Sequence, residues 1–422
     1  MMSAVPPLEP AIDRVRGELE ALSRIRDDSL DGWTREVFSE PYRDSRQWVQ
    51  TKMREAGLQV HVDGAGNIIG RLAGRSPGAP AIVTGSHTDT VKAGGRFDGV
   101  VGVLGGIETA RRIREGGIQL EHDLIVIDFL GEEPNEFGLS CLGSRTLAGE
   151  LTAADLDRRS LVGVSLGDRY ADFDLDPSAA LGNDWARRGG IHGYVELHIE
   201  QGPTLEERGI PVGIVTAIAG IERLVATFRG RADHAGTRDM NSRQDAMVAA
   251  AEAVLAVRRE GCGAPIHGVA TTTEVRSMTD SPNVVPSLVT MRSEIRSIDP
   301  SWLSGTRRRL AEEIQTLANS SGVDVEFDWT NDNEVVETTR GVQDIAAAAA
   351  EQAGVPWLPI PSGATHDAVH MAKLAPMGMI FIPSRDGKSH CPQEWTELAD
   401  ISIGMRVLAE TVLRMDAATS VG

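Results

Sequence analysis

Apolar residues in the first part of the chain alternate between unbroken runs and helical spacing. Residues 81–86 and 123–130 are short runs rich in β-branched side chains, which are typical of strands buried on both faces. Residues 100–115, which lie between them, have the periodicity of an amphipathic helix. This order predicts parallel strands in one sheet, covered by helices on both faces. Similar patterns predict further strands over 194–203 and 377–383, a hairpin over 58–72, and helices over 42–56, 153–157, 342–353 and 398–415.

The pattern changes after Pro203 and returns near residue 332. In this interval the predicted strands alternate polar with apolar residues, and two long helices accompany them. The strands are predicted at 213–230 (a pair with a turn), 267–275, 285–296 and 323–329, and the helices at 241–260 and 300–317. Residues 213–331 therefore read as an inserted α+β domain that divides a first domain into 1–212 and 332–422. The predicted fold class is α/β, with a mixed, mostly parallel sheet and helices on both faces, plus this insertion.

Composition narrows the class of protein. The chain has 61 acidic and 42 basic residues and a net charge of −19, so a nucleic-acid backbone or an anionic membrane surface would be repelled. No apolar run reaches the roughly 18 residues of a membrane span, and the N-terminus lacks the basic and apolar segments of a signal peptide. A cytoplasmic location is expected. Three widely spaced cysteines, Cys141, Cys262 and Cys391, fit reduced thiols in that compartment.

Polar residues with metal-binding chemistry gather where the predicted strands end. His87 follows the strand over 81–86, and Asp89 can accept a hydrogen bond from one imidazole nitrogen and leave the other for a metal. Two glycines then bring in Asp98, a second possible ligand. By itself, the His-x-Asp pattern is explained as well by a strand-end histidine that a local carboxylate holds in place.

The later strands end in the same types of residue. Glu132 and Glu133 follow one strand, His198 lies at the end of the next, and His390 lies in the loop after the last. All of these side chains are expected at one edge of the sheet, because parallel strands place their carboxyl ends together. That coincidence favours a functional site over a set of solvated charges.

Three imidazoles with several carboxylates suit Zn²⁺, Mn²⁺ or Co²⁺, because Ca²⁺ and Mg²⁺ prefer oxygen ligands alone. Two ions roughly 3.5 Å apart, bridged by a carboxylate and a water, need about this number of ligands. One glutamate of the pair would bind metal while its neighbour takes a proton from the water. Cys391, beside His390, is interpreted as a structural thiol.

Six motifs carry a resemblance to a known family. The chain resembles the M20-type metallo-amidohydrolases, in the branch of N-carbamoyl-L-amino acid hydrolases, β-ureidopropionases and allantoate amidohydrolases. The likeness covers nearly the whole sequence after about residue 30. The motifs are Gly85-Ser86-His87-Thr88-Asp89-Thr90-Val91, Gly95-Arg96-Phe97-Asp98-Gly99, Glu132-Glu133, His198-Ile199-Glu200-Gln201-Gly202-Pro203, His234-Ala235-Gly236-Thr237 and Asp386-Gly387-Lys388-Ser389-His390.

The resemblance implies a role for each residue of the strand-end cluster. Two divalent metal ions per subunit are expected, with His87, Asp98, Glu133, His198 and His390 as ligands, Asp98 bridging. Glu132 is expected to be the general base and Asp89 to orient His87. Related peptidases and aminoacylases usually carry a carboxylate at the position of His198, so histidine there favours a carbamoyl or ureido substrate.

The resemblance also implies that the inserted domain is a lid and dimerisation domain in a homodimer. His234 would reach the partner subunit's site and stabilise the oxyanion. The substrate's α-carboxylate would be held by Gln201, Asn283 and Arg296. The residues alone predict something plainer, a loop histidine at His234 and a surface charge on a strand at Arg296.

The expected activity is hydrolysis of an N-carbamoyl-L-amino acid, with glutamate-activated water attacking the ureido carbonyl and carbon dioxide and ammonia released. Allantoate or β-ureidopropionate hydrolysis are the nearest alternatives, followed by an aminoacylase or dipeptidase and by a non-catalytic binding protein of the same fold. The positions that depart from the family's common pattern surround the substrate and spare the ligands. They are Pro134-Asn135-Glu136, Arg238-Asp239, Glu294 and Thr365.

Overall fold

The computed structural model describes residues 8–182, 190–279 and 281–422. The helices are α1 Ile12–Ser23, α2 Glu40–Glu55, α3 Val100–Glu115, α4 Leu142–Leu147, α5 Ala153–Leu156, α6 Leu166–Asp172, α7 Pro177–Leu181, α8 Thr204–Arg208, α9 Ala246–Cys262, α10 Pro300–Ser320, α11 Arg340–Gln352, α12 Ala368–Met371 and α13 Leu398–Ala417. The strands are β1 Gln59–Val62, β2 Ile68–Leu72, β3 Ala81–His87, β4 Leu124–Phe129, β5 Ile191–Ile199, β6 Val212–Ile218, β7 Gly220–Arg229, β8 Val269–Ser277, β9 Leu288–Ser297, β10 Asp324–Asn333, β11 Val336–Glu337, β12 Trp357–Ser362 and β13 Met377–Ile382.

Contacts between residues divide the chain into two compact units. The first comprises Met1–Thr216, Thr338–Ile360 and His366–Gly422, and the second comprises Ala217–Glu337 and Pro361–Thr365. Within the described ranges, no helix has both the length and the apolarity needed to cross a bilayer.

The larger sheet has the strand order β1-β2-β4-β3-β5-β13-β6-β11, with β12 also paired to β6. Its four central strands, β4, β3, β5 and β13, are parallel to one another, and the pairs β1–β2, β2–β4, β13–β6 and β6–β11 are antiparallel. The predicted α/β class with a mixed, mostly parallel sheet is confirmed. The predicted hairpin is β1 with β2.

Burial explains why the central strands could be recognised. All residues of β3, β4 and β13 are buried, as expected for parallel strands covered on both faces. One hydrophobic core contains Ile82 of β3, Leu104 of α3 and Leu408 of α13. Helix α3 begins and ends where the periodicity predicts. The carboxyl ends of β3, β4, β5 and β13 consequently lie at one edge.

The second unit contains an antiparallel sheet with the order β10-β7-β9-β8. Helices α9 and α10 supply apolar residues, among them Ala253 and Leu310, to its hydrophobic core. The predicted start of the first helix at residue 241 is wrong, because α9 begins at Ala246. The Asp245 side chain accepts hydrogen bonds from the backbone N–H groups of Met247 and Val248 and so caps the helix.

Candidate metal centre

The structure brings the five predicted metal ligands together at the carboxyl ends of the parallel strands. His87 is the last residue of β3, Glu133 follows β4, His198 is in β5 and His390 is in the loop after β13. Asp98 immediately precedes Gly99, which has φ 66° and caps α3. A Cβ atom at Gly99 would lie 2.5 Å from the His87 ring, so only glycine lets this loop approach the histidine.

Asp98 is shared by two groups of potential ligands. One group is His87, Asp98 and His198, and the other is Asp98, Glu133 and His390; within each group, one ligand atom per residue lies within 4.8 Å of the others. Asp98 Oδ1 is 3.1 Å from His198 Nε2, and Asp98 Oδ2 is 3.2 Å from His390 Nε2. The carboxylate therefore presents one oxygen to each group, an arrangement that suits a bridging ligand.

Backbone carbonyls fix the orientation of two imidazoles. His87 Nδ1 lies 3.1 Å from the carbonyl oxygen of Asp89, and His198 Nδ1 lies 2.9 Å from that of Ile199. A carbonyl only accepts, so Nδ1 carries the proton in each ring and Nε2 points at the shared site. This is the usual arrangement of a metal-binding histidine.

The charged groups at the site favour the binding of cations. Burial disfavours the charged form of Asp98, yet hydrogen bonds with His198 and His390 hold its pKa well below the usual value. Burial, together with repulsion from Asp98, raises the pKa of Glu133 to about 7. Burial also lowers the pKa of His390, but Asp98 and Glu133 outweigh it and raise that pKa to about 9. Buried carboxylates that repel one another, interleaved with imidazole nitrogens, are the donor set that divalent transition metals fit.

Glu132 is buried beside the shared site but belongs to neither group that contains Asp98. Its Oε2 lies 3.6 Å from His87 Nε2. Burial and repulsion from Glu133 raise the pKa of Glu132 well above its usual value, although His87 opposes the shift. A carboxylate with a raised pKa is suited to take up and return a proton near neutral pH.

Asp89 and Gln201 support the ligands from two sides. The Asp89 carboxylate lies 3.5 Å from His87 Nδ1 and accepts hydrogen bonds from the backbone N–H groups of Glu132 and Glu133, at 3.2 and 3.0 Å. The Asp89 carboxylate thus holds the backbone of the glutamate pair, whereas the nearer partner of the His87 ring is the backbone carbonyl of Asp89. Gln201 Nε2 donates to Asp98 Oδ2 at 2.7 Å.

The remaining predicted residues lie in the second unit. His234 and Asn283 are neighbours, since His234 forms a β-bridge with Val284 and Ala235 N–H donates to the Asn283 carbonyl. Both side chains are exposed. Arg296 lies near the far end of β9, where its guanidinium contacts Glu294 at 2.9 Å and the Gly363 carbonyl at 3.0 Å. The structure does not bring Arg296 close to His234 and Asn283 within this unit.

Several residues around the centre carried no predicted role. Glu394 and Ser389 contact the Asp98 loop, and the Cys141 thiol lies 3.6 Å from Glu132 Oε1. A third donor group, Glu196, His198 and His366, adjoins the first. The sequence signal that points to Glu394 is its place four residues after His390, in the same loop.

A cavity of about 300 Å³ adjoins Glu133 and Asp89. The loop that follows the glutamate pair lines it, including Asn135 and Glu136, together with Arg169. Arg169 Nε is 3.2 Å from Glu136 Oε1. The positions that depart from the family pattern after Glu133 therefore shape a space next to the centre.

Comparisons with known proteins find relatives that match nearly the whole chain. An N-carbamoyl-L-amino acid amidohydrolase of Geobacillus stearothermophilus is 36% identical over 96% of this chain and 98% of its own length. A ureidoglycolate hydrolase of Arabidopsis thaliana is 35% identical over 95% of this chain and 86% of its own length. The crystal structure of AtUAH in complex with glyoxylate superposes with a TM-score of 0.89 at 33% identity, covering 99% of this chain and 100% of that one.

The profile of Peptidase family M20/M25/M40 matches residues 83–414. This span includes all the candidate ligands, Glu132 and the second unit. Enzymes of this family are generally metal-dependent, and the donor groups around Asp98 are candidate metal ligands. The chain belongs to Peptidase family M20/M25/M40.

Proposed function

We propose that this protein hydrolyses N-carbamoyl-L-amino acids to the amino acid, carbon dioxide and ammonia. The observation that carries the proposal is the sharing of Asp98 by two donor groups, with Glu132 buried beside them and outside both. The relative from Geobacillus stearothermophilus, which is named for this reaction, supports the substrate class. The histidine at position 198, where related peptidases usually carry a carboxylate, supports it as well.

The centre is proposed to hold two divalent ions per subunit, Zn²⁺, Mn²⁺ or Co²⁺. His87 and His198 would complete one site and Glu133 and His390 the other, with Asp98 shared. Such ions, when bound, polarise a carbonyl and lower the pKa of a bound water. Imidazole and carboxylate together favour these metals over Ca²⁺ or Mg²⁺.

Glu132 is proposed to move the proton. Its carboxylate accepts a proton from the attacking water as the C–O bond to the ureido carbonyl forms, and it returns that proton to the leaving nitrogen as the C–N bond breaks. The second product, carbamic acid, decomposes to carbon dioxide and ammonia. Gln201, Asn283 and Arg296 are proposed to bind the substrate's α-carboxylate, and His234 the oxyanion.

The second unit supports a homodimer. Leu288 and Arg296 are eight residues apart on β9, which is about 27 Å in a strand, and Asn283 precedes Leu288 and lies beside Ala235. One small substrate cannot touch both ends, so we propose that the end with His234 and Asn283 serves the partner's site. Exposed apolar side chains on α9, on edge strand β8 and beside it offer a surface for association. They are Val248, Leu255, Val269, Val275 and Met278.

The decisive experiment is ammonia release by protein reconstituted with Mn²⁺, Co²⁺ or Zn²⁺. The panel for ammonia release is N-carbamoyl-L-amino acids, N-carbamoyl-β-alanine, allantoate and ureidoglycolate. N-acyl amino acids and dipeptides follow, and their hydrolysis, which liberates no ammonia, is measured as the free amino acid released. Release from the first class alone is expected. Turnover of only allantoate or ureidoglycolate would reassign the substrate, turnover of only acyl or peptide bonds would replace the reaction class, and bound metal without any hydrolysis would favour a binding protein.

Sharing of the site between subunits can be tested by complementation. Co-expression of differently tagged Glu132→Gln and His234→Ala chains, followed by purification of the heterodimer, is expected to restore about half of the wild-type kcat per dimer. The His234→Ala subunit keeps its own Glu132 and receives His234 from its partner. A heterodimer as inactive as both homodimers would show that His234 acts within its own subunit.

A further inference from the structure

Glu394 is a buried carboxylate that none of the proposed roles uses. It lies four residues after His390, and its Oε1 accepts hydrogen bonds from the backbone N–H groups of Phe97 at 2.8 Å and Asp98 at 3.1 Å. These N–H groups belong to the loop that presents the shared carboxylate. One side chain thus ties the loop of His390 to the loop of Asp98, although the loops are about 300 residues apart in the chain.

The second oxygen of Glu394 connects to the side chain of Asp98. Glu394 Oε2 lies 2.9 Å from Ser389 Oγ, and the same hydroxyl lies 2.7 Å from Asp98 Oδ2. Oδ2 is the oxygen that faces His390, whereas Oδ1 faces His198 and His87. Through Ser389, Glu394 is therefore linked to Asp98 Oδ2, the oxygen that faces the group of Glu133 and His390.

Gly95 makes room for this carboxylate. A Cβ atom at Gly95 would lie 2.0 Å from Glu394 Cδ, closer than atoms can approach, so a larger residue there would displace the carboxylate. The φ angle of Gly95 is not positive, and the crowding alone accounts for the glycine. The site is built from both loops to receive one carboxylate at one position.

We infer that Glu394 is a positioning residue for the metal centre, which fixes Asp98 Oδ2 relative to His390. This inference rests on the proposed metal centre and not on the identity of the substrate. The contribution is geometric: the side chain must reach two backbone N–H groups and one hydroxyl together. If the side chain no longer contacts these groups, the site of Glu133 and His390 is weakened more than the site of His87 and His198. The reason is that the hydrogen-bond connection ends on Asp98 Oδ2. Residues that hold ligands in this way typically change metal affinity 10- to 100-fold when replaced.

The test is titration of metal-free protein with Co²⁺, following the visible absorption bands and the metal content of each variant. Glu394→Asp keeps the charge but withdraws the carboxylate, and it is expected to weaken one of two Co²⁺ sites about 10- to 100-fold. Glu394→Gln keeps the length. Its amide oxygen accepts from both N–H groups, its amide nitrogen donates to Ser389 Oγ, and both sites are expected to stay within about threefold of wild type. Gly95→Ala leaves residue 394 unchanged but displaces its carboxylate, so it is expected to weaken Co²⁺ binding as Glu394→Asp does.

Glu397→Asp is the matched control. Glu397 lies in the same loop, is exposed and pairs with Arg385, so this variant is expected to bind Co²⁺ as wild type does. Thermal unfolding of the metal-free proteins distinguishes a loss of positioning from a loss of folding. If Glu394→Asp fails to fold, Co²⁺ binding by Gly95→Ala and Glu394→Gln tests the inference.

Three outcomes would overturn the inference: unchanged Co²⁺ binding in Glu394→Asp or Gly95→Ala, equal weakening in Glu394→Gln and Glu394→Asp, or a wild-type chain that binds fewer than two ions. Two bound ions without ammonia release would overturn only the proposed reaction.

Discussion

Histidines cluster at both ends of the same parallel strands, with different consequences. At the carboxyl ends, three imidazoles converge on the carboxylate of Asp98. At the amino ends, His122, just before β4, stacks on His192 of β5 with ring centroids 4.3 Å apart and planes inclined by 20°. The two clusters share a sheet, a residue type and close spacing. They differ in what the ring nitrogens face.

At the amino ends the ring nitrogens face backbone carbonyls. His122 Nδ1 lies 2.7 Å from the Pro80 carbonyl and His192 Nε2 lies 3.1 Å from that of Met415. Neither histidine joins any of the donor groups found among the described residues. Burial and the charge of His122 lower the pKa of His192, whereas Glu132 and Asp89 outweigh burial and raise the pKa of His87. At the carboxyl ends several buried carboxylates lie against the imidazoles, and among the described residues only the histidines at those ends belong to donor groups that contain Asp98.

The largest expected effect is the loss of catalysis on replacing Glu132. Glu132→Gln keeps the shape of the side chain but removes the proton acceptor, so kcat is expected to fall by about 10²- to 10⁴-fold. Metal content should be unchanged, because Glu132 belongs to no donor group. The matched change at the other end of the sheet, His122→Gln, should leave kcat as it is. Retained turnover in Glu132→Gln would remove this residue from the mechanism.

Metal-dependent stability is the next effect in size. Binding to the folded state alone stabilises it, by about 4 kcal/mol at a free metal concentration of 1,000 times Kd, so chelation is expected to lower Tm. Asp98→Asn, which removes the shared charge, should abolish most of that difference. Asp416→Asn is the control at the amino ends, where Asp416 accepts N–H bonds from Glu121 and His122. A metal-dependent shift in Tm that persists in Asp98→Asn would show that binding occurs elsewhere.

The sequence predicted the parts of the fold whose signals are local. Strands β3, β4 and β13 are unbroken apolar runs, and α3 has a full helical period. Strand β12 was not predicted, because its sequence Trp-Leu-Pro-Ile-Pro-Ser contains two prolines. Helix α1 and the short helices α4, α6, α7, α8 and α12 were not predicted either. The short helices contain too few residues to show a helical period. Helix α6 does begin with a local signal, the capping box of Ser165 and Asp168, and its Tyr170 contacts the distant Phe38.

The same distinction applies to the candidate site. The ligands could be predicted because each follows a recognisable strand, and strand ends meet at one edge. The residue types at that shared edge already favoured a metal site, although the His-x-Asp pattern by itself has a plain structural explanation. The family resemblance added which residues bind metal and which of the two glutamates acts as the base. The role of Glu394 was not predicted, because two of its partners are backbone N–H groups in a distant loop, and only its place four residues after His390 points to it. A contact with backbone leaves no pattern in side-chain types.

The smallest expected effect is a change in the pH dependence of stability at the amino ends. The pKa of His192 is lowered in the folded state, so between that value and its unfolded value near 6.5 the unfolded chain binds more protons. The contribution of His192 to the free energy of unfolding is therefore fully present above pH 6.5 and is lost as pH falls through this window. His192→Gln is expected to flatten the fall in Tm between pH 7 and 5 by roughly 1 °C.

Two neighbours and one control make this last measurement informative. The charge of His122 strengthens the shift in the pKa of His192, and Asp416 opposes it, so Asp416→Asn should steepen the same fall in Tm. His61→Gln, at an exposed position on β1, is the control and should leave the slope of Tm against pH as it is in wild type. A slope in His192→Gln equal to that of wild type would mean that the stacked pair does not sense protons. The pKa of His87 is raised and that of His192 is lowered, and in that case the lowered pKa of His192 would have no effect on the stability of the fold.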